Sequence, residues 1–296
     1  MKTEQNQNVN LKGKVSLVTG ATSGHGQAVA RALAKMGSEV VLLGRSREKC
    51  IMVRDEIAAL TGRPPDYLLC DLSVRDDIDR AANEFLASGR PLDILVNNAG
   101  IVNRTRQETT DGVEMVFAVN YLAYFQLSLR LIERLLQSTP ARIVNVASDA
   151  HRVVSLKLDD LELRNGYSWW SSYGRSKLAV VYFTQELARR LAGSGVTVNA
   201  VDPGPVASNI AMNNPGILVS LTGKMIKHLF PGPDWAARTA VYLATSPDVE
   251  RVNGAYFKYH KLRAPRIDTG DRTLPGRLWE ITAKMTGVDF LSDQTT

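Results

Sequence analysis

Cysteine is nearly absent from this chain. Cys50 and Cys70 are the only two in 296 residues; they cannot build a disulfide framework, and they match no zinc spacing. A reducing, cytoplasmic setting is the expectation that follows, with Cys70, at the end of an apolar run, a small buried hydrophobe. No uninterrupted apolar stretch is long enough to span a bilayer. The polar residues 1–10 lack the apolar core of a signal peptide or membrane anchor. Basic residues exceed acidic ones, 36 to 30, giving a net charge of +6 and a pI of about 9.3. Yet no run of about five or more Lys/Arg and no aromatic–basic stacking platform appears, which argues against nucleic acid. The excess reads as a solvated basic surface, explained in part by an anionic ligand. Asn103-Arg104-Thr105 fits a glycosylation sequon, read as a chance match in a chain with no secretion signal. Repeats, low-complexity tracts and long linkers are missing too, so one domain is expected over residues 1–296, with a core at 11–260 and a C-terminal extension at 261–296.

What is present is a soluble globular composition, 44% hydrophobic and 22% charged, in which strand patterns alternate with helix patterns. Lys14–Thr19 reads as a buried strand that runs straight into glycines. A helix follows, with Val29, Ala32, Leu33 and Met36 on one face and Gly37 ending it. Glu39–Leu43, Asp66–Cys70, Leu92–Val96, Arg142–Ala147 and Val196–Val201 read as further strands. Between them come helices at 47–60, 76–87, 112–137 (bent or broken near Asn120) and 172–191. Pro233–Ala244 reads as another helix, Gly254–Phe257 as a last strand, and 277–285 as a tail helix. This alternation predicts an α/β fold with a doubly wound, mostly parallel sheet. Residues 205–230 break the rhythm as an insertion where a substrate lid belongs.

In such sheets ligands bind at the carboxyl ends of the strands, and the polar motifs fall there repeatedly. Thr19-Gly20-Ala21-Thr22-Ser23-Gly24-His25-Gly26 joins the first strand to the first helix. Its glycines let backbone approach a pyrophosphate, and the helix start supplies free N–H groups and a positive dipole end. About 20 residues on, where an NAD site carries an acid for the ribose hydroxyls, Gly44-Arg45 stand instead, with Arg47 near. A guanidinium suits a 2′-phosphate, so NADP(H) is favoured over NAD(H). Asp71, Asn97, Ser148 and Pro203-Gly204 also follow strands. Tyr173 and Lys177 share a helix face at i and i+4. The phenol is a poor base at neutral pH, and a neighbouring ammonium is expected to lower its pKa, with Ser148 donating a hydrogen bond to a substrate oxygen.

These residues resemble the short-chain dehydrogenase/reductase family across roughly residues 11–260. The glycine turn matches its Thr-Gly-x-x-x-Gly-x-Gly pattern, and Asn97-Asn98-Ala99-Gly100 its Asn-Asn-Ala-Gly motif. Asn120, Ser148, Tyr173 and Lys177 match its catalytic tetrad, and Pro203-Gly204 its Pro-Gly motif. The resemblance implies a Rossmann fold and a set of roles. Tyr173 would be the acid/base. Lys177 would hold the nicotinamide ribose and depress the tyrosine pKa. Ser148 would polarise the substrate oxygen. Asn120 would bend its helix and hold a relay water. Gly20, Thr22, Ser23, Gly24, His25 and Gly26 would line the pyrophosphate turn. Asp71, Leu72, Asn97 and Ala99 would serve the adenosine side; Pro203, Gly204 and Val206 would border the nicotinamide, with Ser208 near the pyrophosphate. A homo-oligomer is implied as well.

Within the family the chain looks most like the retinol-dehydrogenase-like and WW-domain-oxidoreductase-like branch. The features are Arg142-Ile143-Val144-Asn145-Val146-Ala147-Ser148 followed by His151, the 25-residue separation of Ser148 from Tyr173, and Glu186-Leu187-Ala188-Arg189-Arg190-Leu191. That branch acts on apolar alcohols, aldehydes and ketones with NADP(H). His25 departs from the usual isoleucine and Ala147 from a common second serine. Trp169-Trp170, ahead of the catalytic helix, either wall a substrate pocket or anchor a loop in the core; Met212 is a further substrate-side candidate. Ile217, Leu218, Leu221, Met225 and Leu229 follow helical spacing with Lys224, Lys227 and His228 between them, as in a lid, a membrane-surface face or ordinary core; lid is preferred for its place after Pro203-Gly204. The expected activity is an alcohol dehydrogenase/carbonyl reductase. An enone C=C reductase on the same scaffold and a non-catalytic dinucleotide sensor are the competing readings.

Overall fold

The first strand, β1 (Val15–Thr19), is buried along its whole length, as a strand covered by helices on both faces must be. It leads through the glycine turn into α1 (Gly24–Lys35). Next come β2 (Glu39–Gly44), α2 (Arg47–Thr61), β3 (Asp66–Leu69), α3 (Arg75–Ala87) and β4 (Ile94–Asn97). The computed structural model describes residues 9–204, 231–265 and 271–289. After β4 the chain forms α4 (Met115–Phe117), a π-helical turn (Ala118–Leu122), α5 (Ala123–Arg130) and α6 (Ile132–Gln137). The predicted break near Asn120 is thus a π-turn, and the single helix expected over 112–137 is divided into shorter pieces. Then follow β5 (Ala141–Val146), a 3-10 turn (Asp149–Val153), α7 (Trp169–Arg190), β6 (Val196–Asp202), α8 (Pro233–Thr245), β7 (Tyr256–Lys258), β8 (Lys261–Arg263) and α9 (Leu274–Thr286).

One sheet in the order β3-β2-β1-β4-β5-β6-β7-β8 organises the molecule. All pairs are parallel except β7–β8. The order reverses at β1, which lies between β2 and β4, and there a doubly wound Rossmann sheet opens its ligand crevice. Alternate residues feed two cores. Leu17, Val41, Leu95, Ile143 and Val198 face α3, α5 and α7, while Val18, Leu42, Val96, Val144 and Val201 face α1, α2 and α8.

The last strand lies slightly later than the expected Gly254–Phe257, and the antiparallel β8 beyond it was not anticipated. The tail helix is longer than expected and belongs to the core. Trp279 of α9 is 2% exposed, contacts the rings of Phe125 and Phe183 at 4.7 and 6.1 Å and takes the Arg190 guanidinium over its face at 4.2 Å. Both cysteines are buried and free. Among the described residues no helix is long and apolar enough to cross a membrane. The proposed lid at 205–230, with Val206, Ser208 and Met212, lies outside the described residues.

Candidate active site

The cofactor end is built from tight backbone contacts. Gly20 has φ +63, and a Cβ there would sit 2.9 Å from Ala99 Cα; only glycine meets both demands. Ser23 at the N-cap of α1 makes no side-chain cap, and the first turn carries no acid, so the helix start keeps N–H groups for an anion. Thr19 Oγ1 accepts from the Asn98 and Ala99 amides at 2.8 and 3.0 Å, and Asn98 Nδ2 donates to the Thr19 carbonyl at 2.8 Å. These bonds staple the glycine turn to the loop after β4. That geometry turns Asn98 Oδ1 toward His25 Nδ1, 2.7 Å away, so Nδ1 carries the proton. Burial lowers the His25 pKa, and the ring is neutral. Thr22 and Ser23 stay accessible beside the turn.

Arg45 is exposed just past the end of β2. Arg47 instead donates to the Tyr67 hydroxyl at 3.1 Å. Asp71 Oδ1 accepts from Ser73 N and Oγ at 2.9 and 2.7 Å, and Leu72 is buried beside it. Asn97 does not present its side chain to the crevice. It is fully buried, and Nδ2 donates to Ser128 Oγ and Asn145 Oδ1, both at 2.9 Å; only its backbone remains for the adenosine role read from the sequence. Ala99 is 9% exposed, and its carbonyl accepts from Tyr124 OH at 2.8 Å.

The catalytic candidates converge where β5 ends. Ser148 follows β5, its Oγ accepts from Ala150 N at 3.3 Å, and its hydroxyl lies near enough to Tyr173 to oppose the rise in the phenol's pKa. The Ser148 carbonyl is held by His151, whose backbone N–H and Nδ1 donate to it at 3.1 and 2.7 Å. Gly174 lets α7 close onto this turn, since a Cβ would lie 2.7 Å from Val154 Cγ1. Lys177 Nζ lies 5.9 Å from the centre of the Tyr173 ring and 5.5 Å from that of Tyr124, and donates to the Val146 carbonyl at 2.8 Å. Asn120 is fully buried in the π-turn. Its Oδ1 accepts from Ile101 N at 2.8 Å, and Nδ2 donates to Ile101 O and Ser176 Oγ at 3.0 and 3.1 Å. The side chain is therefore spent on fixing the loop after Gly100 beside α7. Gly100 adjoins both Asn120 and Lys177, a Cβ there lying 3.5 Å from Asn120 Oδ1 and 3.6 Å from Lys177 Nζ.

The electrostatics correct one expectation. Burial raises the Tyr173 pKa above its ordinary value; the Ser148 hydrogen bond opposes the rise and the Asp202 charge adds to it. Burial also lowers Lys177 to about 7, against a smaller upward pull from Asp202. The amine has thus largely lost its proton by the pH at which the phenol ionises, so the spacing alone does not make the two an ammonium–phenolate pair. Proximity was read correctly; the charge state was not, because desolvation of a residue 3% exposed outweighs it.

The short chain dehydrogenase family profile matches residues 14–216. This chain belongs to that family. Over 284 residues it is 37% identical to retinol dehydrogenase 12 of Mus musculus, covering 96% of this chain and 89% of the relative. It is 36% identical to polyprenol dehydrogenase of Homo sapiens, covering 93% and 86%. Among solved structures, an uncharacterized protein from Mycobacterium paratuberculosis superposes with a TM-score of 0.74 at 28% identity, covering 96% of this chain and 97% of the other. A short chain dehydrogenase from Escherichia coli CFT073 complexed with NADPH gives 0.68 at 26%, covering 83% and 96%. The retinol-dehydrogenase-like branch read from the motifs is the one these relatives occupy.

Several residues of this short-chain dehydrogenase escaped the sequence reading. Glu114, 1% exposed, accepts from Val116 N, Phe117 N and Ser172 Oγ at 3.0, 2.8 and 3.2 Å, anchoring α4 to the residue before Tyr173. Asp149, Asp202 and Lys258 meet behind Ser148. No motif marks them; adjacency to Ser148 and to Pro203 was the only available signal. Trp169 and Trp170, edge to face at 5.4 Å, are 41% and 45% exposed, so they do not anchor a loop in the core. Pro203 and Gly204 sit half-buried after β6.

Proposed function

We propose that this protein interconverts an apolar alcohol and its aldehyde or ketone, using NADP(H) in preference to NAD(H). The observation that carries the reading is the meeting of Ser148, Tyr173 and Lys177 at the carboxyl end of β5, on the crevice where α1 begins with uncapped N–H groups. That uncapped start and the Gly20 turn fit a dinucleotide pyrophosphate. Arg45, exposed and close to the start of α2, suits a 2′-phosphate. When bound, the nicotinamide supplies or accepts the hydride. In reduction Tyr173 OH gives its proton to the carbonyl oxygen as that oxygen gains negative charge, and Ser148 Oγ donates a hydrogen bond to the same atom. In oxidation the same groups work in reverse. Lys177 regains its proton beside an anion, because a nearby negative charge favours the ammonium, and its charge then favours the tyrosine's ionised form. Trp169 and Trp170 present apolar surface ahead of α7, in keeping with a bulky apolar substrate.

The test is NADPH oxidation with retinaldehyde, decanal, benzaldehyde and a steroid ketone, repeated with NADH. Turnover of at least one carbonyl is expected for the wild type. In Tyr173→Phe turnover should fall by about a thousandfold or more, since acid–base and orienting roles go together, while NADPH affinity is retained. Undiminished turnover in Tyr173→Phe refutes the assignment.

A further inference from the structure

Behind Ser148 lies a partly buried ion cluster, with Asp202 at its buried end, that touches three strand ends at once. Asp149 follows Ser148 directly, and Asp202 directly precedes Pro203-Gly204. Lys258 ends β7, where the sheet register sets it opposite Asp202. Lys258 Nζ lies 2.6 Å from Asp149 Oδ2 and 2.9 Å from Asp202 Oδ2. The Asp149 amide donates to Asp202 Oδ2 at 3.3 Å, and the Gly204 amide to Asp202 Oδ1 at 2.8 Å. Asp149 Oδ1 accepts from Arg152 Nε at 2.7 Å and Tyr256 OH at 2.9 Å. Asp202 is 3% exposed and Tyr256 1%. A buried carboxylate that loses its cation costs far more than the pair contributes, so the lysine holds both acids in one arrangement.

We infer that Lys258 is a positioning residue for the reaction: by bridging Asp149 and Asp202 it fixes the Ser148 turn relative to the Pro203-Gly204 turn, and it screens Tyr173 from the Asp202 carboxylate. The inference rests on the proposed carbonyl chemistry. Ser148 addresses the substrate oxygen and Pro203-Gly204 the nicotinamide, so the tie sets the separation between the two reacting partners. Small errors in that separation are costly. The titratable and charged groups that face Asp202 and its neighbours come from four elements. They are Asp149, His151 and Arg152 on the 3-10 turn, Tyr256 on β7, Tyr173 and Lys177 on α7, and His25 on α1. Without Lys258, Asp149 keeps Arg152 and Tyr256, whereas Asp202 keeps, among the described residues, only backbone hydrogen-bond donors. The unbalanced charge is therefore the one whose influence already raises the Tyr173 pKa.

The experiment compares Lys258→Met, Lys258→Arg and the double variant Asp202→Asn/Lys258→Met with wild type, using retinaldehyde and decanal. NADPH affinity is read by fluorescence, and Tyr173 ionisation by ultraviolet difference titration against a Tyr173→Phe background. In Lys258→Met, kcat should fall roughly tenfold to a hundredfold while NADPH affinity stays within about threefold of wild type. The Tyr173 titration should move up by about one pH unit. Lys258→Arg should restore both. The double variant should return the titration to its wild-type position while kcat stays low, because the charge is gone but the tie is still missing. Wild-type kcat with an unmoved titration in Lys258→Met overturns the inference. If Lys258→Met does not fold, the double variant decides: low kcat at wild-type NADPH affinity supports the role, and wild-type kcat overturns it. Failure of both to fold makes the cluster a stability element and overturns it too. If the wild-type enzyme turns over no carbonyl, the proposed function fails, and the titration still tests the screening.

Discussion

Lys177 offers a prediction that separates stability from activity. The side chain is 3% exposed, and burial takes its pKa from 10.5 down to about 7. Between those values the unfolded chain binds more protons than the native one, so native stability rises with pH across that window. The cost of the buried charge is present in full below pH 7 and gone above pH 10.5. A difference of roughly 3.5 units corresponds to about 5 kcal/mol. Lys177→Met keeps the apolar stem and removes the charge. It also forfeits the hydrogen bond to the Val146 carbonyl, which costs about 1–3 kcal/mol once that acceptor is left buried and unpaired. The contact with the Tyr124 ring is worth about 1–2 kcal/mol more. The balance favours the variant by about 0–3 kcal/mol at neutral pH, a rise in Tm of up to several degrees in the cofactor-free protein. Scanning calorimetry from pH 6 to 10 should show that advantage shrinking as pH rises and reversing toward alkaline pH, while NADPH-dependent turnover is lost throughout. A variant that is less stable at neutral pH, or a Tm difference that ignores pH, would refute the reasoning.

Two further outcomes are expected. Arg45→Ala should weaken NADPH binding about tenfold or more by removing a charged contact to phosphate, and leave NADH binding nearly unchanged; fluorescence titration with both nucleotides measures this, and equal losses would mean that Arg45 does not read the 2′-phosphate. Trp279→Ala should cost about 3–5 kcal/mol, because the ring fills the space between Phe125, Phe183 and Arg190; urea unfolding with a single lower midpoint shows α9 to be part of the cooperative core, and an unchanged midpoint would mean that the tail docks independently.

The parts of the fold that could be read early are those with a local cause. The apolar run Val15–Thr19 ends in glycines that only a tight strand-to-helix turn requires, and the turn is there. The bend at Asn120 appears as a π-turn because the residue's amide is taken up by Ile101 and Ser176. Other features have no local cause. The helical pattern near Arg277 was visible, but not that Trp279 would dock on α5 and α7. Nothing near Lys258 announces a bridge to Asp149 and Asp202, since each is an ordinary surface-type residue among its own neighbours. Trp169 and Trp170 were legible as unusual without their exposure being decided.

By itself the sequence determined the inventory: a strand–helix alternation, a glycine turn for an anion, and a serine, a tyrosine and a lysine at the spacing of an acid–base site. Motif spacing is a property of the chain, and it survives folding unchanged. Tertiary structure decided the charge on those groups and what holds them in place. A lysine is an ammonium or an amine according to the water it has lost, and two aspartates share one cation only when three strand ends come together. Desolvation and long-range pairing both arise from neighbours distant in sequence, and no local pattern contains them.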